Sequence, residues 1–175
     1  KFEDKAVCID TARETIFPAL SEAIGNLIEM RTREGDDLKH DTLERLAKLE
    51  SESIAIESHA PSVIARYREN LHRKLQESGL DIDLNDDRVL KEIGIFAERC
   101  DISEEVTRLR SHFAKFREYL DNSEPVGRSL DFLCQELNRE FNTIGSKAND
   151  ATLAQHVVSA KTELEKIREQ IQNVE

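Results

Sequence analysis

The chain has 175 residues, of which 38% are hydrophobic and 35% charged, and its formal net charge is -11. This acidic balance counts against a simple basic nucleic-acid-binding protein, although it allows a local basic strip or a site in which metal ions offset carboxylates. Glycine and proline are scarce and no strand-like alternation is present, so the composition predicts a helix-rich protein.

The N-terminal part predicts a helix over about residues 5–33. Its apolar residues recur at helical spacing and form the stripe Leu20, Ile24, Leu27 and Ile28. Gly35 is interpreted as a break or a helix–helix contact. The chain begins at Lys1 already in a helical pattern, which suggests that an N-terminal region precedes it.

Residues 37–78 predict a helical hairpin. Its first helix, about 37–58, carries the apolar residues Leu38, Leu43, Leu46, Leu49 and Ile54. Pro61 is placed at the first position of the second helix, which Gly79 ends. The connection is short, so we expect the two helices to be antiparallel neighbours.

The remaining helices are predicted at about 90–98, from Ser103 as N-cap to about Leu120, over 127–147, and from 151 onward. In the helix over 127–147 the core face is Leu130, Leu133, Cys134, Leu137, Phe141 and Ile144. The last helix has a heptad pattern, Leu153, Val157, Ala160, Leu164, Ile167, Ile171 and Val174. That pattern predicts a helix packed on its own domain or, alternatively, one shared between subunits.

The predicted fold class is all-α, with antiparallel helical hairpins or a bundle and a long C-terminal helix in a heptad pattern. We divide the chain into a lead-in helix, residues 1–34, and a C-terminal helical domain, residues 35–175, whose polar-faced helices and last helix occupy about 86–175. The three cysteines, Cys8, Cys100 and Cys134, show no zinc spacing, which predicts reduced thiols and a cytosolic protein. No apolar run approaches the roughly 20 residues of a membrane span, so no membrane partner is expected.

The helix over 127–147 has an unusual polar surface, because it includes Asn and Thr, which are poor helix formers. On a helical wheel one polar row is Asp131, Gln135, Asn138 and Asn142, a second is Glu136, Glu140, Thr143 and Lys147, and Arg139 lies between them. The preceding helix stacks Asp101, Glu105, Arg108 and His112 on one side, with Glu104 beside them. Such faces can hold a divalent metal through carboxylates and a phosphate through arginine and lysine.

The alternative interpretation is that these rows are solvated ion-pair faces, which is the commoner meaning of such spacing. If they instead form a site, the two helices must lie antiparallel with the rows opposed across a shared groove.

The same segments resemble the YicC-like endoribonuclease family. The resemblance lies in DISEEVTRLRSHFAKF, EPVGRSLDFLCQELNREFNTIGSKAND and LEKIREQIQNVE, with IEMRTREGDDL and YRENLHRKL upstream. It implies a cytoplasmic bacterial protein with an N-terminal region ahead of an all-helical C-terminal region. It further implies a metal-dependent endoribonuclease that assembles as a ring-like hexamer around RNA.

The family pattern falls on these polar residues, and side-chain chemistry assigns their roles. The expected ligands of a divalent cation, Mg²⁺ or Mn²⁺, are Asp101, Glu104, Glu105, Asp131, Glu136 and Glu140. His112, Glu136 and Glu140 are the expected catalytic residues, with His112 as a proton-transfer candidate. RNA phosphates are expected at Arg108, Arg128, Gln135, Asn138, Arg139, Asn142 and Lys147. The competing hypothesis is a non-catalytic helical oligomerisation module or RNA-binding adaptor.

Overall fold

The computed structural model describes residues 9–79, 83, 85–122, 125–172 and 174. Five helices account for most of them: α1 (Ile9–Glu77), α2 (Asp87–Cys100), α3 (Ser103–Leu120), α4 (Gly127–Lys147) and α5 (Ala151–Ile171). No strand occurs among these residues, which confirms the predicted all-α fold. The chain comprises two compact units, residues 1–40 and 41–175.

In the unit 41–175, α3, α4, α5 and the part of α1 that starts at Asp41 pack as a four-helix bundle. Neighbouring helices are antiparallel, as the order of their contacts shows. The contacts are Glu50–Arg117 and Glu57–Arg110 between α1 and α3, Glu105–Lys147 and Glu140–Arg108 between α3 and α4, Asp131–Arg168 and Asn142–Lys161 between α4 and α5, and Glu163–Arg45 and His156–Glu52 between α5 and α1.

The core of this bundle is aliphatic and phenylalanine-rich. The predicted core face of α4 is confirmed, because all six of its residues are buried. They pack with side chains from the other helices, among them Leu49, Leu109, Phe116 and Ile167, each 0% exposed. Burial of side chains of this size contributes about 1.5–3 kcal/mol each to folding, so the core holds the polar faces of α3 and α4 at a fixed separation.

The hairpin predicted over 37–78 is wrong, because α1 continues through His59, Ala60 and Pro61 as one helix. A proline inside a helix costs about 3 kcal/mol. Here the helix buries a continuous stripe on both sides of Pro61, which includes Ile56 and Val63, and this burial offsets the cost.

The buried stripe of α1 also differs from the predicted one. Its residues are Thr42, Leu46, Leu49, Ser53, Ile56 and Val63, with Ala60 and Tyr67 partly buried. The steps between neighbours are 4 or 3 residues. Ile54, which we expected in the core, is 62% exposed. The small polar Ser53 takes a core position instead, so counting only large apolar residues misplaced the face.

In the unit 1–40, α1 also passes through Pro18 and Gly35, so no break occurs at Gly35. A single glycine in a helix costs about 1 kcal/mol and is often tolerated. The stripe Leu20, Ile24, Leu27 and Ile28 is present but lies on the surface of the single chain. Together with Ile16, Phe17 and Met30, its side chains are between 48% and 61% exposed.

The heptad face of α5 packs within its own chain, which is the first of the two arrangements that its pattern predicted. Leu153, Val157, Ala160, Leu164, Ile167 and Ile171 are all buried. Asp150 caps the helix, and its Oδ1 accepts hydrogen bonds from the backbone N–H groups of Thr152 and Leu153 at 2.9 and 3.1 Å. The Asp150 carboxylate also contacts His59 and Arg66 of α1, which joins the start of α5 to α1.

Two of the three cysteines lie in the described part of the chain, and both are free thiols. Burial, with a smaller contribution from Asp131, raises the pKa of Cys134 to about 12, which leaves it protonated and unreactive at neutral pH. Cys8 lies outside the described residues. None of the helices in the described ranges combines the length and apolar character that crossing a bilayer requires.

Candidate metal centre between α3 and α4

Three potential metal ligands converge where the polar faces of α3 and α4 meet. A ring nitrogen of His112 on α3 and one carboxylate oxygen each of Glu136 and Glu140 on α4 all lie within 4.8 Å of one another. Glu136 and Glu140 are four residues apart, so α4 presents them on one face. Among the described residues this is the one group of three or more such side chains that comes together in this way.

The donor set fits a divalent cation. Mg²⁺ binds oxygen at about 2.0–2.1 Å, so two donors on one ion are at most about 4 Å apart. The three ligand atoms, which lie within 4.8 Å of one another, would therefore need to move only slightly to bind one ion. The two carboxylates suit Mg²⁺ and Mn²⁺, whereas the imidazole is a ligand more typical of zinc, iron, nickel or copper. The Glu140 side chain is only 3% exposed, which limits competition from water.

Arg108 lies beside this cluster and contacts two carboxylates. Its Nη1 is 3.4 Å from Oε1 of the buried Glu140, and its Nη2 donates to Glu104 on the same helix. The negative charge of Glu104, followed by the hydrogen bond to Glu140 as the second-largest cause, raises the pKa of the Arg108 guanidinium. The Arg108 side chain is 47% exposed, so it connects the buried part of the cluster to solvent.

Lys147 and Glu105 form a second contact between the same helices. Lys147 Nζ donates to Glu105 Oε1 at 2.8 Å and to the backbone carbonyl of Asp101 at 2.9 Å. The Glu105 side chain is 5% exposed, and its Oε2 has no hydrogen-bond partner within the described part of the chain. Lys147 is thus occupied by a buried carboxylate and is less available to RNA than we expected.

Asp101 holds the start of α3. Its Oδ1 accepts hydrogen bonds from both the backbone N–H and the hydroxyl of Ser103, and these lower the pKa of its carboxyl group. The predicted N-cap was Ser103, but the N-cap position is Ile102, which makes no side-chain capping hydrogen bond, and Asp101 one residue earlier accepts the bond from the Ser103 N–H. Its carboxylate is therefore engaged locally rather than in the cluster.

The first polar row of α4 faces α5, not α3. Asp131 accepts a hydrogen bond from Gln135 at 2.8 Å and pairs with Arg168, and Asn142 accepts one from Lys161 at 2.7 Å. Sequence reasoning missed the two α5 cations. They lie seven residues apart and so on one helix face, a signal that could have identified them.

The remaining predicted residues lie on the surface near these groups. Arg139 is 70% exposed, and its Nη1 lies 4.0 Å from Glu136 Oε2 at the edge of the cluster. Glu104 is 70% exposed, and Arg128 and Asn138 are also exposed. Of the six expected metal ligands, the structure brings Glu136 and Glu140 together, and it adds His112 to them.

Comparison with known proteins supplies the family. Residues 56–175 match the family described as endoribonuclease YicC-like, C-terminal. A protein of Clostridioides difficile (strain 630) named probable endoribonuclease YicC is 39% identical over 176 residues, which cover 100% of this chain and 60% of that protein. A protein of the same name from Haemophilus influenzae is 35% identical over 167 residues, which cover 95% and 58%.

The chain thus spans about three fifths of the length of these relatives. Both relatives are similar to it along nearly its whole length, and the family match covers α2 to α5 together with the second part of α1. The chain therefore belongs to the YicC-like endoribonuclease family, of which it contains the C-terminal region.

Proposed function

We propose that this chain is the C-terminal region of a metal-dependent endoribonuclease that cleaves RNA phosphodiester bonds, with its divalent cation held by His112, Glu136 and Glu140. The observation that carries the proposal is the convergence of one imidazole and two carboxylates from α3 and α4. The names of the two relatives support an RNA substrate.

A divalent cation bound there would supply Lewis acidity at the scissile phosphodiester. Glu136 and Glu140 offer carboxylate oxygens as ligands. We assign His112 as a ligand rather than a free proton carrier, because its ring nitrogen lies within 4.8 Å of both carboxylate oxygens. Arg139 at the edge of the cluster and the exposed Arg128 would position the RNA backbone, since arginine pairs with phosphate in a bidentate geometry.

The other expected metal ligands are left out of the proposed ligand set. Asp101 bonds to Ser103 at the start of α3, Glu105 pairs with Lys147, and Asp131 faces α5. Glu104 pairs with Arg108 and is largely exposed. Each therefore has a structural use apart from the cluster.

The proposal is tested on this chain by titrating Mn²⁺ calorimetrically and by incubating labelled RNA with and without EDTA. Glu136→Gln and Glu140→Gln are each expected to abolish both Mn²⁺ binding and EDTA-sensitive cleavage. Glu118→Gln, on the outer face of α3 and paired with Lys115, is the matched control and should leave both unchanged. Cleavage that persists in Glu136→Gln would identify a contaminating nuclease.

The second candidate is a non-catalytic RNA-binding or oligomerisation module. The observation that favours it is that Glu105 and Glu140 already have protein cations, Lys147 and Arg108, as in a purely structural interhelical ion-pair network. Wild-type protein that binds RNA, does not bind Mn²⁺ and yields no cleavage product would support this candidate.

We also propose that the protein is a homo-oligomer of the bacterial cytoplasm, a hexamer as the family resemblance implies. The exposed apolar stripe of α1 between Ile16 and Met30 supports an assembly, because a row of large apolar side chains on a water-facing helix usually marks an interaction surface. The heptad face of α5 does not contribute, since it is buried within its own chain.

A further inference from the structure

Arg108 has an unusual position for a residue expected to bind RNA. Its guanidinium lies between the buried Glu140, 3% exposed, and the surface Glu104, 70% exposed. The contact to Glu140 is the longer of the two, at 3.4 Å, and the bond to Glu104 is made within α3 itself. The side chain can therefore leave Glu140 while it keeps Glu104.

Glu140 requires a cation, because a buried carboxylate without a partner is strongly unfavourable. Arg108 fills this requirement in the described structure. A divalent cation bound to His112, Glu136 and Glu140 would fill it too. The two positive charges would then be a few ångströms apart in a partly desolvated space, where like charges repel strongly. Only one of them is needed at Glu140.

We propose that Arg108 is the resident counter-ion of Glu140, that it exchanges with the divalent cation, and that the released guanidinium binds an RNA phosphate. This inference rests on the proposed metal centre. Arg108 is then a positioning residue that couples two binding events. Cation binding moves it toward solvent, where its fork of donors matches a phosphate.

The exchange predicts two measurable changes in affinity. Removal of Arg108 eliminates a competitor, so the affinity for the cation must rise. In the wild type the cation must strengthen RNA binding, and by thermodynamic reciprocity RNA must strengthen cation binding by the same factor. That coupling must disappear without Arg108. A purely structural ion pair predicts neither change.

The test compares Arg108→Gln with Arg110→Gln in this chain. Arg110 is the matched control, because it lies on the same helix and pairs with a glutamate, Glu57, that is outside the cluster. Mn²⁺ affinity is measured by calorimetry. RNA affinity is measured by fluorescence anisotropy with a 2′-O-methyl oligoribonucleotide, with and without Mn²⁺, and a gel verifies that the probe stays intact. Circular dichroism verifies that each variant is folded.

Arg108→Gln is expected to bind Mn²⁺ about fivefold more tightly, the lower end of typical coupling factors, and to lose the gain in RNA affinity that Mn²⁺ gives the wild type. Arg110→Gln should behave as the wild type in both respects. Arg108→Lys, which keeps a cation at this position, should retain part of the gain.

Equal or weaker Mn²⁺ binding by Arg108→Gln would overturn the exchange, and tighter binding with the RNA coupling intact would overturn the role of Arg108 in phosphate binding. Failure of the proposed function has a different signature. In that case the wild type either does not bind Mn²⁺ or binds it no more tightly than Glu136→Gln does.

Discussion

Lys147 of α4 and Glu105 of α3 form a partly buried ion pair, with 2.8 Å between Nζ and Oε1, and the same ammonium also donates to the Asp101 backbone carbonyl. One lysine thus connects the last turn of α4 to the first turn of α3. Because the Glu105 side chain is 5% exposed, its charge depends on this one partner far more than a surface glutamate would.

We predict that Lys147→Met lowers the free energy of unfolding by about 2–4 kcal/mol, because it leaves a buried carboxylate without its cation. Urea unfolding measures the effect. Lys115→Met, which breaks the exposed pair with Glu118, is the control and should cost less than about 1 kcal/mol. The double variant Lys147→Met/Glu105→Gln should recover most of the loss. If it does not, the cost comes from lost packing of the lysine stem.

Pro61→Ala is predicted to raise the free energy of unfolding by about 1–3 kcal/mol, because alanine restores a helical N–H at a position inside α1. The exposed Pro125, which precedes α4, supplies the control, and Pro125→Ala should change stability little. A loss of stability in Pro61→Ala would mean that a second helix starts at Pro61, as the sequence predicted.

Asp150 is predicted to make stability depend on pH. Burial alone would raise the pKa of its carboxyl group, but the N–H groups of Leu153 and Thr152, with Arg66 and His59, outweigh it and lower the pKa below 3.8. A carboxyl group with a lowered pKa stabilises the fold above its unfolded pKa, and this contribution is lost as the pH falls through the folded value.

Asp150→Asn keeps a capping oxygen but loses the negative charge, so it should lower the free energy of unfolding by about 0.3–1 kcal/mol at pH 7, and the difference from the wild type should narrow as the pH falls below about 3.8. Urea unfolding at a series of pH values checks this. The exposed Asp83 is the control position, and Asp83→Asn should stay within about 0.5 kcal/mol of the wild type. A difference that does not change with pH would show that the carboxylate charge at Asp150 is unimportant.

The exposed stripe of α1 leads to a prediction about assembly. Leu20→Glu and Leu27→Glu are expected to lower the molar mass measured by light scattering, because each places a charge within a proposed subunit contact. Val158→Glu changes an even more exposed apolar residue on α5 and should leave the mass unchanged. Equal masses for all variants would count against this stripe as the contact.

The parts of the fold that sequence reasoning predicted well are those with strong local signals. The bounds of α4 match because apolar residues recur at helical spacing between a glycine at residue 127 and the polar segment that follows Lys147. The helix start predicted at Pro61 was wrong because the cost of one proline is local, whereas the burial that outweighs it involves contacts far along the chain.

The sequence predicted which helix faces carry the candidate site, but not which side chains make contact between the helices. The helical wheel placed Glu136, Glu140 and Lys147 in one row, but it could not show that Glu140 is 2% exposed, because exposure depends on how α3 is rotated against α4. For the same reason the wheel treated both polar rows of α4 alike. The structure assigns one row to α3 and the other to Lys161 and Arg168 of α5.

The alternating charges between α3 and α4 also determine the alignment of the two helices. Glu105 lies opposite Lys147, and Arg108 lies opposite Glu140. Because Glu140 and Lys147 are seven residues apart on α4, sliding α3 by about two turns in one direction would bring Glu105 toward Glu140, and sliding it as far in the other would bring Arg108 toward Lys147. Both shifts place like charges together in a partly buried space, so repulsion disfavours either misaligned packing and keeps His112 beside its two glutamates.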